Sequence, residues 1–142
     1  MTTKRRRRAK GPQRLPSRLE LLQYYVYDPI TGVLLLSRNN KPVGFKSNGY
    51  LRVTYKGKQY PAHRLIYKMY YGRDPGNKHI DHCNGDRSDN RISNLRCVSA
   101  KVNAANTSKA RKDGIPQDLF VPNYPKAAEE FEKAIEDAVL AY

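Results

Sequence analysis

Asp81 and His82 put a carboxylate beside an imidazole in the run His79-Ile80-Asp81-His82. A loop dense in Asn and Asp follows, then Asn94, then Asn103 and Asn106 on the segment beginning at Ser99. A neutral imidazole can take a proton from water near neutral pH, because an unperturbed histidine titrates near ~6.5. A carboxylate and an amide carbonyl are hard oxygen donors of the kind that hold Mg²⁺ through one or two protein ligands, with water and phosphate completing the shell. These are the parts needed to cleave a phosphodiester. That reaction needs an activated water, a cation to spread charge on the phosphate and leaving oxygen, and groups that position both. On this reading Asp81 and the Asn103 side-chain carbonyl are the two cation ligands.

Singly, these residues are commonplace. An Asp-His pair is frequent, and Asn84-Gly85-Asp86 reads first as a hairpin turn. It does not continue as a twelve-residue calcium loop, since the alternating acids and the final Glu are missing. His79 is read as a surface or packing residue. His63 is read as a helix-start or packing residue, because nothing near it in sequence completes a site.

The elements around the cluster follow from pattern. Tyr24–Tyr27 and Val33–Leu36 are β-rich runs separated by the turn Asp28-Pro29-Ile30-Thr31-Gly32. Val43–Phe45, Tyr50–Tyr55 and Gln59–Ala62 are further strands, with Ser47-Asn48-Gly49 and Lys56-Gly57-Lys58 as turns. Together they predict a small antiparallel sheet, with Leu51, Val53 and Tyr55 on one face and Tyr50, Arg52 and Thr54 on the other. His63–Gly72 is a short helix with Leu65, Ile66, Met69 and Tyr70 on one stripe and Gly72 as its stop. His79–His82 and Asn94–Val98 are two short strands, and a helix follows from Ser99. Pro125–Tyr142 reads as an amphipathic helix with Ala128, Phe131, Ile135, Ala138 and Val139 inward and acids opposite. Nine of the eleven tyrosines lie between Tyr24 and Tyr71, and with no Trp and three Phe they must build much of the core.

The run from His63 to Asn106, set in this strand-loop-strand-helix context, resembles the HNH endonucleases, in the branch found in phage and intron-encoded homing enzymes. The Gly49-Tyr50, Gly57-Lys58, His63-Arg64 and Gly72 texture upstream is similar to the region preceding the motif in that branch. The resemblance covers about Tyr24–Thr107. It implies a ββα-metal unit in which His82 is the general base, Asp81 before it is a metal ligand, and Asn94 fixes the loop that presents the base. Asn103, 21 residues after His82, matches the helical metal ligand, which is Asn in this branch and His in others. An Asn ligand makes the site oxygen-rich and favours Mg²⁺ or Mn²⁺.

Charge and cysteine usage bound the partners. The formal net charge is +14, with eight basic residues and no acid in residues 1–18, while the last thirty residues are acidic. A basic body with a basic arm implies a polyanion, here double-stranded DNA, and an affinity that falls steeply with salt. Arg5, Arg6, Arg7, Arg8, Arg52, Arg64, Arg87, Arg91 and Arg96 are the candidate DNA contacts. Cys83 and Cys97 form no CxxC pair, which argues against structural zinc and fits a reducing cytosol. No apolar run could span a membrane, and no apolar segment follows the basic N-terminus to make a secretory signal.

The expected architecture is therefore α+β. Residues 1–18 form a disordered basic arm. Residues 19–112 form the nuclease domain, divided into a sheet-and-helix DNA-binding part (19–75) and a ββα-metal catalytic part (76–112). Residues 113–142 form a linker and an acidic helix that packs on the domain, or pairs with a second copy or another protein. The function that this implies is a divalent-metal-dependent DNA endonuclease in a bacterial or phage-infected cytosol. The alternative is a DNA-binding or regulatory protein that keeps the scaffold without cutting.

Overall fold

A computed structural model describes residues 14–98 and 124–140. Its elements are α1 (Arg18–Tyr24), β1 (Tyr25–Tyr27), β2 (Leu34–Leu36), β3 (Phe45–Ser47), β4 (Tyr50–Tyr55), β5 (Lys58–Pro61), α2 (Ala62–Tyr71), β6 (His79–His82), a 3₁₀ turn (Ile92–Asn94), β7 (Leu95–Val98) and α3 (Tyr124–Leu140). The fold is α+β, as the sequence pattern predicts. All strand pairs are antiparallel and fall in three small sheets, β1-β2, β3-β4-β5 and β6-β7. The single sheet expected over Tyr24–Tyr60 is thus two, and an isolated bridge pairs Leu35 of β2 with Pro42 in the connection between them.

The basic arm expected over residues 1–18 needs a correction at its end. Leu15 is buried in the core, and α1 begins at Arg18. Ser17 caps the helix by accepting from the Glu20 backbone N–H at 3.2 Å. That Ser-x-x-Glu spacing is a helix-start signal inside what composition marks as a charged tail. Arg18 is structural: its Nε and Nη2 donate to the carbonyls of Met69 and Tyr70 at 2.8 and 2.7 Å, closing the open end of α2. Gly72, at φ 74°, ends that helix in the left-handed conformation.

Strand β1 and the second half of β4 bury alternate residues as a period of two requires. Val53 and Tyr55 of β4 and Tyr60 of β5 face the core, where Leu65, Ile66 and Met69 of α2 meet them. Both hairpin turns of this sheet carry two successive positive-φ residues, Asn48-Gly49 and Lys56-Gly57, the geometry that matches strand twist. The acidic helix α3 packs on α1 and α2 of its own domain. Phe131 is buried against Tyr70, with ring centroids 4.9 Å apart, and near Tyr27 at 6.3 Å. Burial of a Phe of this kind contributes about 1.5–3 kcal/mol. Among the described residues, no helix is long and apolar enough to cross a membrane.

Candidate active site

Strand β6 carries the two central residues, and β7 sets their directions. Asp81 lies opposite Arg96 and His82 opposite Leu95. Successive side chains leave opposite faces of a strand, so Asp81 and His82 point apart even though they are neighbours. On its side, Asp81 accepts two hydrogen bonds from Arg96, from Nε at 3.0 Å and Nη2 at 2.8 Å, both on Oδ2. Both side chains are almost wholly buried, at 4% and 3% exposure. Arg96, expected among the DNA contacts, is instead the partner of the carboxylate. Its register position directly across from Asp81 is the reason.

His82 is buried at 3% exposure, and its Nε2 lies 3.0 Å from Oδ1 of the buried Asn90. Two further rings surround it. His63, from the first turn of α2, meets it edge-on at a centroid distance of 5.0 Å, and Tyr50, from the start of β4, lies at 6.0 Å. Tyr50 and His63 are 5.5 Å apart, so the three rings form one cluster built by three elements. Burial pushes the His82 imidazole below its ordinary pKa, against the Asn90 hydrogen bond and the charges of Asp81, Asp89 and Asp86, which pull it up. Burial, helped by His82, Arg64 and Arg52, pushes His63 down to about 3. Both imidazoles are therefore neutral near pH 7, the form in which a ring nitrogen can accept a proton.

Asn94 ends the 3₁₀ turn before β7 and is fully buried. Its Oδ1 accepts from the Asn84 N–H at 2.9 Å, and its Nδ2 donates to Asn84 Oδ1 at 2.9 Å and to the Asp89 carbonyl at 2.8 Å. Its own carbonyl accepts from the Cys83 N–H at 2.8 Å. One side chain thus holds both ends of the Asn84–Asp89 loop. Within the loop Asp86 accepts from the Ser88 N–H and hydroxyl, and Asn84 Nδ2 donates to Asp89 at 2.7 Å.

The remaining arginines are placed unequally. Arg87 is exposed, stands 4.8 Å over the Tyr50 ring and donates to the Asn48 carbonyl, at the lip of the ring cluster. Arg52 is half-buried on the same face of β4 as Tyr50. Arg64 donates to the carbonyls of Gly76 and Lys78 and so braces the loop entering β6. Arg91 forms a two-pronged pair with Asp89. Asn103 and Arg5, Arg6, Arg7 and Arg8 lie outside the described residues.

Among the described residues, no group of three or more His, Cys, Asp or Glu side chains is arranged to hold a metal ion. Of the two expected cation ligands, Asp81 alone is among the described residues, and its Oδ2 is engaged by Arg96. Asp81 is an anionic oxygen donor at the strand end, with its orientation fixed by Arg96.

Sequence reasoning passed over three residues that converge on His82. His63 stands 19 positions away and carries no local sign of a partner. Asn90 sits in a loop where Asn and Asp are ordinary. Tyr50 is one of many tyrosines. The alternation in Tyr50–Tyr55 does give a signal for Tyr50, because it sets that ring on the face away from the core.

Residues 60–105 match the model of a family described as HNH endonuclease. The solved structure reported under DNA binding and cleavage by the HNH homing endonuclease I-HmuI is similar, with a TM-score of 0.50 at 22% identity. That match covers 77% of this chain, which spans about 60% of the length of the other. At such identity the likeness is one of fold. No curated protein sequence matches the chain. Residues 60–105, the stretch running from β5 through the β6–β7 hairpin, are therefore what this chain shares with the HNH endonucleases.

Proposed function

We propose that the chain is a divalent-metal-dependent DNA endonuclease that hydrolyses phosphodiester bonds. The observation that carries the reading is the Asp81-His82 strand end, buried and separately braced by Arg96 and Asn90, within the segment that matches the family. His82 is the general base and accepts the proton of the attacking water. Asp81 and Asn103 would hold the metal, Mg²⁺ or Mn²⁺ given oxygen donors, and the bound ion would neutralise charge on the phosphate and leaving oxygen. One carboxylate and one amide hold such an ion weakly, so tight binding awaits DNA phosphates. Asn94 keeps the loop beside the base in one shape.

Residues 19–75 and the basic arm serve as the DNA-binding part and residues 76–112 as the catalytic part. Arg5, Arg6, Arg7, Arg8, Arg52 and Arg87 are the phosphate contacts, with Arg64 and Arg91 contributing charge from their bracing positions. The site of action is the cytosol of a bacterial or phage-infected cell. Plasmid incubated with the protein and Mg²⁺ or Mn²⁺ should be nicked or linearised, and EDTA should stop it. His82→Ala should still shift DNA in a gel while cleavage falls about 10²-fold or more. Undiminished cleavage by that variant removes His82 from the mechanism. A clean shift with no cutting by the wild type favours the second reading, a DNA-binding protein on a silent nuclease scaffold.

A further inference from the structure

A base is defined by which of its nitrogens is bare, and in His82 that choice is made outside the catalytic strand. An amide oxygen only accepts hydrogen bonds, so the 3.0 Å contact between His82 Nε2 and Asn90 Oδ1 requires the ring hydrogen on Nε2. The lone pair then sits on Nδ1. Asn90 is itself held: its carbonyl accepts from the Tyr27 hydroxyl at 2.5 Å, a buried bond across 63 residues of sequence. The β1–β2 turn lies flush on the same stretch, with the Ile92 N–H donating to the Pro29 carbonyl at 3.1 Å. A Cβ added at Gly32 would stand 2.5 Å from the Arg91 nitrogen and 2.7 Å from the Asn90 carbonyl carbon. The contact is therefore backbone on backbone, with no flexible side chain to give way.

We infer that Asn90 is a positioning residue that fixes His82 as its Nε2–H tautomer, so that Nδ1 is the atom that takes the proton from water, and that the β1–β2 hairpin holds Asn90 in place. The inference rests on the nuclease reading for its consequence, but the tautomer itself does not. An amide in this place orients the ring without adding a charge beside it. The hairpin lies outside residues 60–105, so part of what prepares the base belongs to the sheet-and-helix half of the chain.

The test is the ring-nitrogen spectrum of the full-length, ¹⁵N-labelled protein without DNA or metal, recorded at a pH where His82 is neutral. His82 signals are identified by their loss in His82→Gln. The wild type and Asn90→Asp, which keeps an acceptor oxygen, should show the hydrogen on Nε2. Asn90→Leu should show a mixture of tautomers, and Tyr27→Phe a weakened Nε2–H signal from faster exchange. A wild-type ring with its hydrogen on Nδ1 overturns the inference even if Asn90→Leu fails to fold, and so does an unchanged spectrum in a folded Asn90→Leu. In plasmid cleavage, Asn90→Leu should lower kcat by roughly 10-fold or more with little change in KM, and Asn90→Asp should recover part of it. A change confined to KM counts against positioning. Absence of wild-type cleavage would sink the nuclease reading alone, since the spectrum decides the tautomer independently.

Discussion

Arg96 and Asp81 face one another across the β6–β7 pair, and both Nε and Nη2 of the arginine converge on the one oxygen Oδ2. Two opposite charges removed from water in this way are strongly interdependent, whatever their net worth as a pair. Arg96→Met leaves a carboxylate in a nearly closed site and should cost about 3–5 kcal/mol of stability. The double variant Asp81→Leu, Arg96→Met should recover most of that loss. Urea unfolding of the single and double variants checks this. A double variant as unstable as Arg96→Met would mean that the pair is not the main tie. The salt dependence of DNA binding should be unaltered by any folded Arg96 variant, in contrast to Arg87→Ala, whose slope should drop by about one phosphate contact.

Gly32 and Gly57 make a matched comparison, since both sit at positive φ, 77° and 79°. Alanine at Gly57 meets nothing within 4 Å and should cost only the left-handed penalty, about 1–2 kcal/mol. Alanine at Gly32 must also push the backbone of Asn90–Arg91 aside. Its thermal midpoint should therefore fall further than that of Gly57→Ala, and the two equal shifts in differential scanning calorimetry would refute the close approach.

Asn94→Ala removes three hydrogen bonds that join Asn84 to Asp89. The three bonds are part-buried, so their loss should cost about 0.5–1.5 kcal/mol each where water replaces the amide. Hydrogen exchange at the Asn84 amide should accelerate well beyond that of β4, and cleavage should fall in kcat. Protection at Asn84 equal to that in the wild type would show that the loop holds its shape without Asn94.

Acid should destabilise the fold through His63 before the carboxylates titrate. The folded pKa is about 3 and the unfolded one near the ordinary 6.5, so the unfolded chain binds the extra proton between those values. The contribution is fully present above 6.5 and is lost as pH falls, by up to about 1.4 kcal/mol per pH unit. Asp28, Asp86 and Asp89 are all held below the usual carboxylate range by hydrogen bonds, which keeps their titration out of the window between pH 7 and 5. Denaturant midpoints between pH 7 and 5 should fall for the wild type and flatten in His63→Phe. Parallel curves for the two would place the acid sensitivity elsewhere, His82 being the next group to test.

Legibility in the sequence followed the range of each interaction. The α2 stripe, the Gly72 stop, the alternation of β4 and the Asp81-His82 strand end are local patterns and are found where the periodicities put them. The Arg18 clasp on α2, the pairing of Arg96 with Asp81 and the His63–His82 contact join residues 15 to 52 positions apart. No periodicity encodes such meetings, and composition misleads about them. Arginine in a basic chain is expected at a phosphate, and here Arg18 and Arg96 each serve the interior. Ser17 and Glu20 are the exception, a local cap that was readable and that charge counting obscured.

The contact between α3 and α1 has a consequence for the order in which the chain matures. Gln23 donates to the Ala138 carbonyl across 115 residues, and Phe131 covers Tyr27 and Tyr70, both made long before it. During synthesis the first half of the molecule emerges with that flank uncovered, and loop-closure entropy delays a contact of such separation. Docking of α3 is then a late step in folding, and a nascent chain halted before residue 124 would keep that flank exposed to chaperones.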